Sequence, residues 1–400
     1  MYHQTLPWQV NYDPDAIPPY TLPDLLTAVD GSKIDTAEKW QKNRPALLKL
    51  FRKYMYGAPP PEPDSITYHT VAVKDFGNGI ATRTLMEMTL AMKNGKSMTI
   101  PFLVYIPCCA PEEKIPVFCT LTFGGLHAVE SDPDLPITAL AMSEEQRRPR
   151  GFAVNRFPLE AIMRRKFALV VASYNDIFAD RVDGWKDSIY ALHFSEAEMS
   201  PRLPEYTAIG AWAWGLSRLL DHTLTLPQID PAKTAVAGHS RLGKTALWAG
   251  VTDERFQLIC VNDSGCGGAA LSRRLYGETL YSMYVHSRFG ETWFTDETKK
   301  IALTPEKLPI DQHQLIALAA PRKVAVHSAT EDQWADPTGE YLGAWHAGEV
   351  YRLFGKLPLT SPEPPPPETP LLGDVGYYLR TGKHDINIDD WQHYMDMMEL

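Results

Sequence analysis

The sequence predicts an α/β fold in which a mainly parallel sheet is covered by helices on both faces. Three observations lead there. Short apolar runs alternate with helix-forming stretches along most of the 400 residues, the order that builds a parallel sheet with crossover helices. Acidic residues recur directly after the strand-like runs. Residues 233–250, KTAVAGHSRLGKTALWAG, join a buried strand, a glycine turn and a helix-forming run, the order of a nucleophile elbow.

Taken from the N-terminus, residues 1–35 are rich in proline, aspartate and tyrosine and read as a surface wrap. Residues 37–56 read as a helix whose apolar side, Leu47, Leu48, Leu50, Phe51 and Met55, is broken by Pro45. Residues 65–73 and 79–90 suggest antiparallel strands, and 98–106 and 115–123 stronger ones. The last of these ends in Gly124-Gly125-Leu126-His127, where glycines let backbone amides approach a ligand. His127 in that loop could touch substrate, but a local structural role suits it better than that of a base. Residues 161–165 end a helix, 167–173 form a buried strand, and 204–224 form a helix with Ile209, Trp212, Leu216, Leu219 and Leu220 on one face. Beyond the elbow, strands are expected at 256–261, 323–328 and 376–380, with a short helix closing at Leu315–Leu318 and another starting near Asp389-Asp390-Trp391. Residues 358–370 (PLTSPEPPPPETP) read as a stiff surface loop, because the segment after them still contributes to the site. The expectation is one domain over residues 1–400, with no internal repeat.

Composition narrows the function. Hydrophobic residues make up 44% and charged ones 22%, enough for a sizeable core. A net charge of −10 disfavours a nucleic-acid binder, which needs a basic face. The five cysteines, Cys108, Cys109, Cys119, Cys260 and Cys266, form no Cys-x-x-Cys pair and are odd in number, which indicates neither a zinc site nor a disulfide framework, and Cys260 and Cys266 read as small buried hydrophobes rather than a bridge. No run approaches the roughly 18 apolar residues of a membrane span. No basic and apolar leader is visible at the start, so the expectation is an intracellular protein or one from which a leader has been removed.

The chemistry centres on Gly238-His239-Ser240-Arg241-Leu242-Gly243. A strained turn would hold Ser240 at the tip of the sheet, with the next helix aiming its amide dipoles at a reacting oxygen. The second glycine comes one position later than in Gly-x-Ser-x-Gly, and Gly-x-Ser by itself also describes a serine capping a β–α turn. A serine nucleophile needs a histidine base, and that base needs a carboxylate. His384, in a Gly-Lys-His-Asp turn after the last strand, is the best placed histidine. Asp332 after strand 323–328 and Asp263 after strand 256–261 are both candidate acids. Asp336 ranks lower because Asp-Pro commonly starts a turn. Arg241 offers its backbone amide, and its guanidinium, to an oxyanion. Lys244, one turn on from Ser240, should reach the same pocket. A solvated basic face is the alternative for both.

Gly238-His239-Ser240-Arg241-Leu242-Gly243-Lys244 resembles the Gly-x-Ser-Arg-x-Gly-Lys motif of glucuronoyl esterases, carbohydrate esterase family 15. The resemblance extends through 262–270, Arg273-Arg274, Gly277-Glu278, Glu331-Asp332 to Glu340, and Gly382-Lys383-His384 with Asp390-Trp391. Upstream, Phe123-Gly124-Gly125, Tyr174-Asn175-Asp176 and Ala208-Ile209-Gly210-Ala211-Trp212 resemble the bacterial branch. It implies an α/β-hydrolase fold and hydrolysis of the ester between 4-O-methyl-glucuronoyl groups of xylan and lignin alcohols. By position, Ser240 would be nucleophile, His384 base, Arg241 the oxyanion arginine, and Lys244, Glu278 and Trp334 contacts of the glucuronoyl ring. Asp332 is the favoured acid, with Asp263 as support or alternative. The reaction would be a two-step acyl transfer with no metal or organic cofactor. The resemblance also points to a secreted or periplasmic protein that acts on lignin–carbohydrate esters; a monomer that binds neither nucleic acid nor membrane is expected, the last two from charge and hydropathy. The chain departs from the fungal branch in having His239 where that branch has a disulfide-forming cysteine, and from many bacterial members in having Leu126 for asparagine.

Two rival readings remain open from sequence. One is an acetyl or feruloyl esterase on the same fold, and the other a non-catalytic carbohydrate-binding homologue. A metallohydrolase is disfavoured, since no His-x-x-x-His or comparable cluster occurs.

Overall fold

The structure is a computed structural model that describes residues 10–110, 112–137, 148–199, 205–287 and 289–400. Among these residues nine strands form one sheet: β1 (Ser65–Phe76), β2 (Ala81–Ala91), β3 (Ser97–Pro107), β4 (Ile115–Thr122), β5 (Ala168–Ser173), β6 (Ile229–His239), β7 (Leu258–Asn262), β8 (Lys323–Ala329) and β9 (Val375–Arg380). Their order is β1-β2-β3-β5-β4-β6-β7-β8-β9. The pairs from β1 to β5 are antiparallel, and every pair from β5 through β9 is parallel. The sheet is therefore mainly parallel, with an antiparallel extension at one edge.

Alternation along the central strands feeds two cores. Val117, Cys119 and Leu121 of β4 face a core shared with Trp212, Leu216 and Leu220 of the helix Ala208–Thr223 and with Leu247 of the helix Arg241–Thr252. Phe118 of the same strand faces the opposite core, with Trp391, Tyr394 and Met397 of the helix Ile388–Glu399. Helices thus cover both faces, which explains why the central strands read as continuous apolar runs.

Several local details differ from the sequence expectation. The first helix, Ala37–Phe51, runs through Pro45 and continues as a π turn to Tyr56. Pro45 lies on the exposed side, as does Gln41, so water can reach the carbonyl that loses its helical bond. The elbow helix spans Arg241–Thr252, starting directly after Ser240. The proline-rich stretch 358–370 is largely exposed, as expected of a surface loop. The expected helix 204–224 begins at Ala208, and its first predicted residue lies outside the described set. All five cysteines are free. No described helix is long and apolar enough to cross a membrane.

Candidate active site

Ser240 stands where β6 turns into the helix Arg241–Thr252, with φ 58° and ψ −130°. A non-glycine residue holds such a conformation only when its surroundings enforce it. Here Ser240 N–H donates to Asn262 O at 2.9 Å, and Ser240 O accepts from Gly243 N and Lys244 N. Gly238 is required by space: a Cβ there would stand 2.0 Å from Leu242 O. The turn is thus pinned to β7 on one side and to its own helix on the other.

His384 is delivered by the turn after β9, which is zipped to the turn after β8. Thr330 N donates to Arg380 O (2.9 Å), Glu331 N to Gly382 O (2.8 Å), and Gly382 N to Thr330 Oγ1 (3.1 Å). The buried Arg380 guanidinium holds the turn from inside, donating to Lys383 O at 2.8 Å and Asp385 O at 2.7 Å. With the two turns held, His384 Nδ1 donates to Asp332 Oδ2 at 2.5 Å.

Asp263 reaches the same histidine less well. Its Oδ2 lies 4.0 Å from His384 Nδ1, beyond hydrogen-bond range. It instead accepts from Asp385 N at 3.1 Å and lies 3.6 Å from Arg380 Nη2. Burial, joined by the charges of Glu340, Asp332 and Asp390, raises the Asp263 carboxyl well above its ordinary value despite Arg380. Asp336 serves a different purpose. It pairs with Arg274 and caps the helix Pro337–Leu353 through Gly339 N.

His239 packs against His384, with ring centroids 4.4 Å apart. Its Nδ1 donates to Asn262 Oδ1 at 2.5 Å, and burial keeps its imidazole well below the ordinary value, so it stays neutral. Among the described residues His239, Asp263 and His384 also bring potential metal-ligand atoms within 4.8 Å of one another. Both Nδ1 atoms are already engaged, by Asn262 and Asp332.

The cleft beside Ser240, about 330 Å³, is lined by Arg241, Lys244, Asp263, Glu278, Asp332, Trp334 and His384, with Phe289 and Trp293 as an aromatic wall. Ser240, Arg241, Lys244, Asp263, Glu278, Asp332, Trp334 and His384 therefore meet at one place, whereas Asp336 stays outside it. Neither Gly124 nor His127 lines it. Gly124 borders a separate cavity of about 30 Å³ behind His239, and His127 is buried.

Two ion pairs organise the cleft. Arg241 Nη1 donates to Asp180 Oδ2, while its guanidinium lies 4.4 Å from the Phe289 ring centroid and 4.7 Å from that of Trp293. Burial opposes its charge, but Asp180 outweighs this and holds the guanidinium above its ordinary value. Asp180 Oδ1 also accepts from Trp293 Nε1 at 2.8 Å, so one carboxylate fixes both the arginine and the wall. Lys244 Nζ donates to Glu278 Oε2 (2.6 Å), Ser264 O (2.5 Å) and Cys266 O (2.7 Å). An ammonium has three donors, and these bonds use all of them. Lys244 thus holds Glu278 and the 264–266 turn in place, a structural task that engages the donors expected from sequence to contact the sugar.

Asp180, Phe289 and Trp293 carry no motif in the sequence, and Glu340 enters the family resemblance without a role. Glu340 is fully buried. Its Oε1 accepts from Ser264 N, Ser264 Oγ and Gly265 N, and its Oε2 from Ser328 Oγ. Burial pushes its carboxyl up to about 7 against these bonds. Glu340 takes the turn's N–H groups while Lys244 takes its carbonyls. Gly265 has φ +61°, and a Cβ there would meet Glu278 Oε2 at 2.7 Å, so the turn also needs its glycine. Replacing Glu340 by alanine should orphan two buried amides at about 1–3 kcal/mol each. The expected outcome is a loss of roughly 2–6 kcal/mol in denaturant unfolding, with a much smaller loss for Glu340→Gln, whose amide oxygen can still accept. Equal stability of Glu340→Ala and the parent would refute this.

The sequence model of the family described as glucuronyl esterase, fungi, matches residues 144–355. The chain is 37% identical over 400 residues to carbohydrate esterase MZ0003 of an unknown prokaryotic organism, covering 97% of this chain and 91% of that protein. It is 30% identical over 341 residues to a 4-O-methyl-glucuronoyl methylesterase of Schizophyllum commune, covering 84% and 74%. Among solved structures, a glucuronoyl esterase from Solibacter usitatus superposes with a TM-score of 0.87 at 35% identity, over 96% of this chain and 99% of its own. A promiscuous CE15 esterase from a marine bacterial metagenome gives 0.86 at 36%, over 98% and 99%. The chain therefore belongs to the glucuronoyl esterases of carbohydrate esterase family 15, carboxylic ester hydrolases of the α/β-hydrolase fold.

Proposed function

We propose that the protein hydrolyses the ester linking a 4-O-methyl-glucuronoyl side group of xylan to an alcohol of lignin, using Ser240, His384 and Asp332 within a single catalytic domain. The observation that carries this is the cleft itself. It joins the Ser240 elbow and the His384–Asp332 pair to a polar wall of Lys244, Glu278 and Trp334. Such a wall suits a sugar ring better than a long acyl chain, and the Schizophyllum commune relative is named for glucuronoyl ester hydrolysis.

Ser240 attacks the ester carbonyl as His384 takes its proton, and His384 then protonates the leaving alcohol. The Arg241 side chain and backbone amide meet the developing oxyanion. Water activated by the same histidine releases glucuronate. Asp332 fixes the His384 tautomer by accepting from Nδ1, leaving Nε2 for the proton transfers. Asp263, too far from Nδ1 and carrying a raised carboxyl, supports the 384–385 turn instead. The substrate is a cell-wall polymer, which puts the site of action outside the cytoplasm. Fractionation that finds the native protein only in cytosol would count against that location.

The test is hydrolysis of benzyl glucuronate ester beside p-nitrophenyl acetate, with Ser240→Ala as control. Ser240-dependent turnover that strongly favours the glucuronate ester is the expected result. Turnover of acetate alone would indicate a general carbohydrate esterase, and binding without turnover of either ester would indicate a non-catalytic homologue.

A further inference from the structure

We infer that Tyr12, held on the rim of the cleft by Tyr276, forms a subsite for the polysaccharide main chain that bears the esterified sugar. The inference rests on the proposed function, because it takes the sugar ring to lie against Glu278 and Trp334.

The N-terminal segment is tied to the cleft by its backbone. Gly277 N donates to Asn11 O at 2.9 Å, and Asn11 Nδ2 to Leu275 O at 3.4 Å. Gly277 precedes Glu278, whose own N–H donates to Trp334 O at 2.7 Å. The chain at 11–12, the turn at 275–278 and the turn at 333–334 therefore form one continuous rim. A Cβ at Gly277 would stand 2.4 Å from Gln333 O, which shows how closely the two turns meet.

Tyr276 is buried within this rim and supports Tyr12. Its hydroxyl donates to Gln333 Oε1 at 2.6 Å, and the Arg274 guanidinium lies 5.0 Å from its ring centroid. The Tyr12 ring meets it edge to face at 6.1 Å, yet Tyr12 remains 50% exposed. A large aromatic side chain is thus positioned from below and open above. Asp332 is close enough that its charge, after burial, helps raise the Tyr12 phenol.

The chemistry of the substrate says what should lie there. The ester leaves the sugar from C6, at Ser240, whereas the main chain is attached through C1. With the carbonyl at Ser240 and the ring against Glu278 and Trp334, the glycosidic bond leads out past the residues that hold the ring. The 11–12 segment borders those residues, joined through the Gly277–Asn11 bond next to Glu278. An exposed, pre-positioned aromatic ring offers a flat apolar surface to the C–H face of a pyranose, with little side-chain freedom left to lose.

The experiment compares kcat/KM for benzyl glucuronate ester with kcat/KM for a methyl glucuronate ester carried on a xylo-oligosaccharide. Tyr12→Ala is expected to lower the oligosaccharide-to-benzyl ratio about tenfold through KM, the loss of one aromatic contact, and Tyr12→Trp should restore it. An unchanged ratio, or equal loss on both esters, overturns the subsite. If wild-type protein turns over neither ester, the function proposed above fails on its own. Calorimetric binding of the same oligosaccharide ester to wild type and Tyr12→Ala then decides the subsite, with equal affinity overturning it.

Discussion

Ser240→Ala protein should hydrolyse a glucuronate ester about 10⁶-fold more slowly than the parent, and Asp332→Asn about 10⁴-fold more slowly, measured as kcat. The second loss follows from the 2.5 Å bond between Asp332 Oδ2 and His384 Nδ1. An amide there no longer demands a proton on Nδ1, so the tautomer that presents a basic Nε2 loses its support. Combining the two substitutions should cost no more than Ser240→Ala alone, because the groups act as a unit. Asp263→Asn is the discriminating control and should keep most of the activity. If it loses as much as Asp332→Asn, the acids have been assigned the wrong way round. Its effect on stability is predicted separately. The Asp263 carboxyl ionises in the unfolded chain near its ordinary value, but in the folded chain only well above it. Between those two values the folded state holds the extra proton, so stability falls as pH rises through that window. Asp263→Asn should remove this slope, visible as a flatter dependence of Tm on pH.

Arg241→Ala should lower kcat about 10²–10³-fold with little change in KM, the scale seen when one oxyanion donor is removed. Arg241 meets the reacting oxygen only if its guanidinium keeps its place between Asp180 and the Phe289–Trp293 wall. Lysine should not substitute, since a single ammonium cannot both pair with Asp180 and reach the cleft from the same aromatic face. Arg241→Ala also leaves the Asp180 carboxylate buried and unpaired, which can cost about 3–5 kcal/mol. The double variant Arg241→Ala/Asp180→Asn separates the effects: stability should recover while kcat stays low. Asp180→Asn alone should reduce kcat less than Arg241→Ala, because the arginine remains but is less firmly aimed. A normal kcat in Arg241→Ala would remove it from the oxyanion site.

Local pattern was enough for the elements that short-range chemistry controls. The apolar runs at 115–123, 167–173 and 323–328 became β4, β5 and β8 because strands buried on both faces must be apolar throughout. Gly238, Ser240 and the helix after them were legible because the turn has few residues that can build it. His384 and Asp332 were legible as residues that follow strands, where a parallel sheet gathers its side chains at one edge. The choice between Asp263 and Asp332 was not legible from the residues, since both follow neighbouring strands. It depends on a difference of 1.5 Å, 4.0 against 2.5 Å from His384 Nδ1, set by how two turns zip together. Nor could the sequence show that Asp180 holds Arg241, that Glu340 and Lys244 clamp one turn from both sides, or that Asn11 ties the N-terminal segment to Gly277. These partners lie 61, 76 and 266 residues apart in the chain for Arg241–Asp180, Ser264–Glu340 and Asn11–Gly277. Hydrophobic period and turn chemistry act over a few residues. A buried charge finds its partner only when packing has decided which distant segments share a space that water cannot enter.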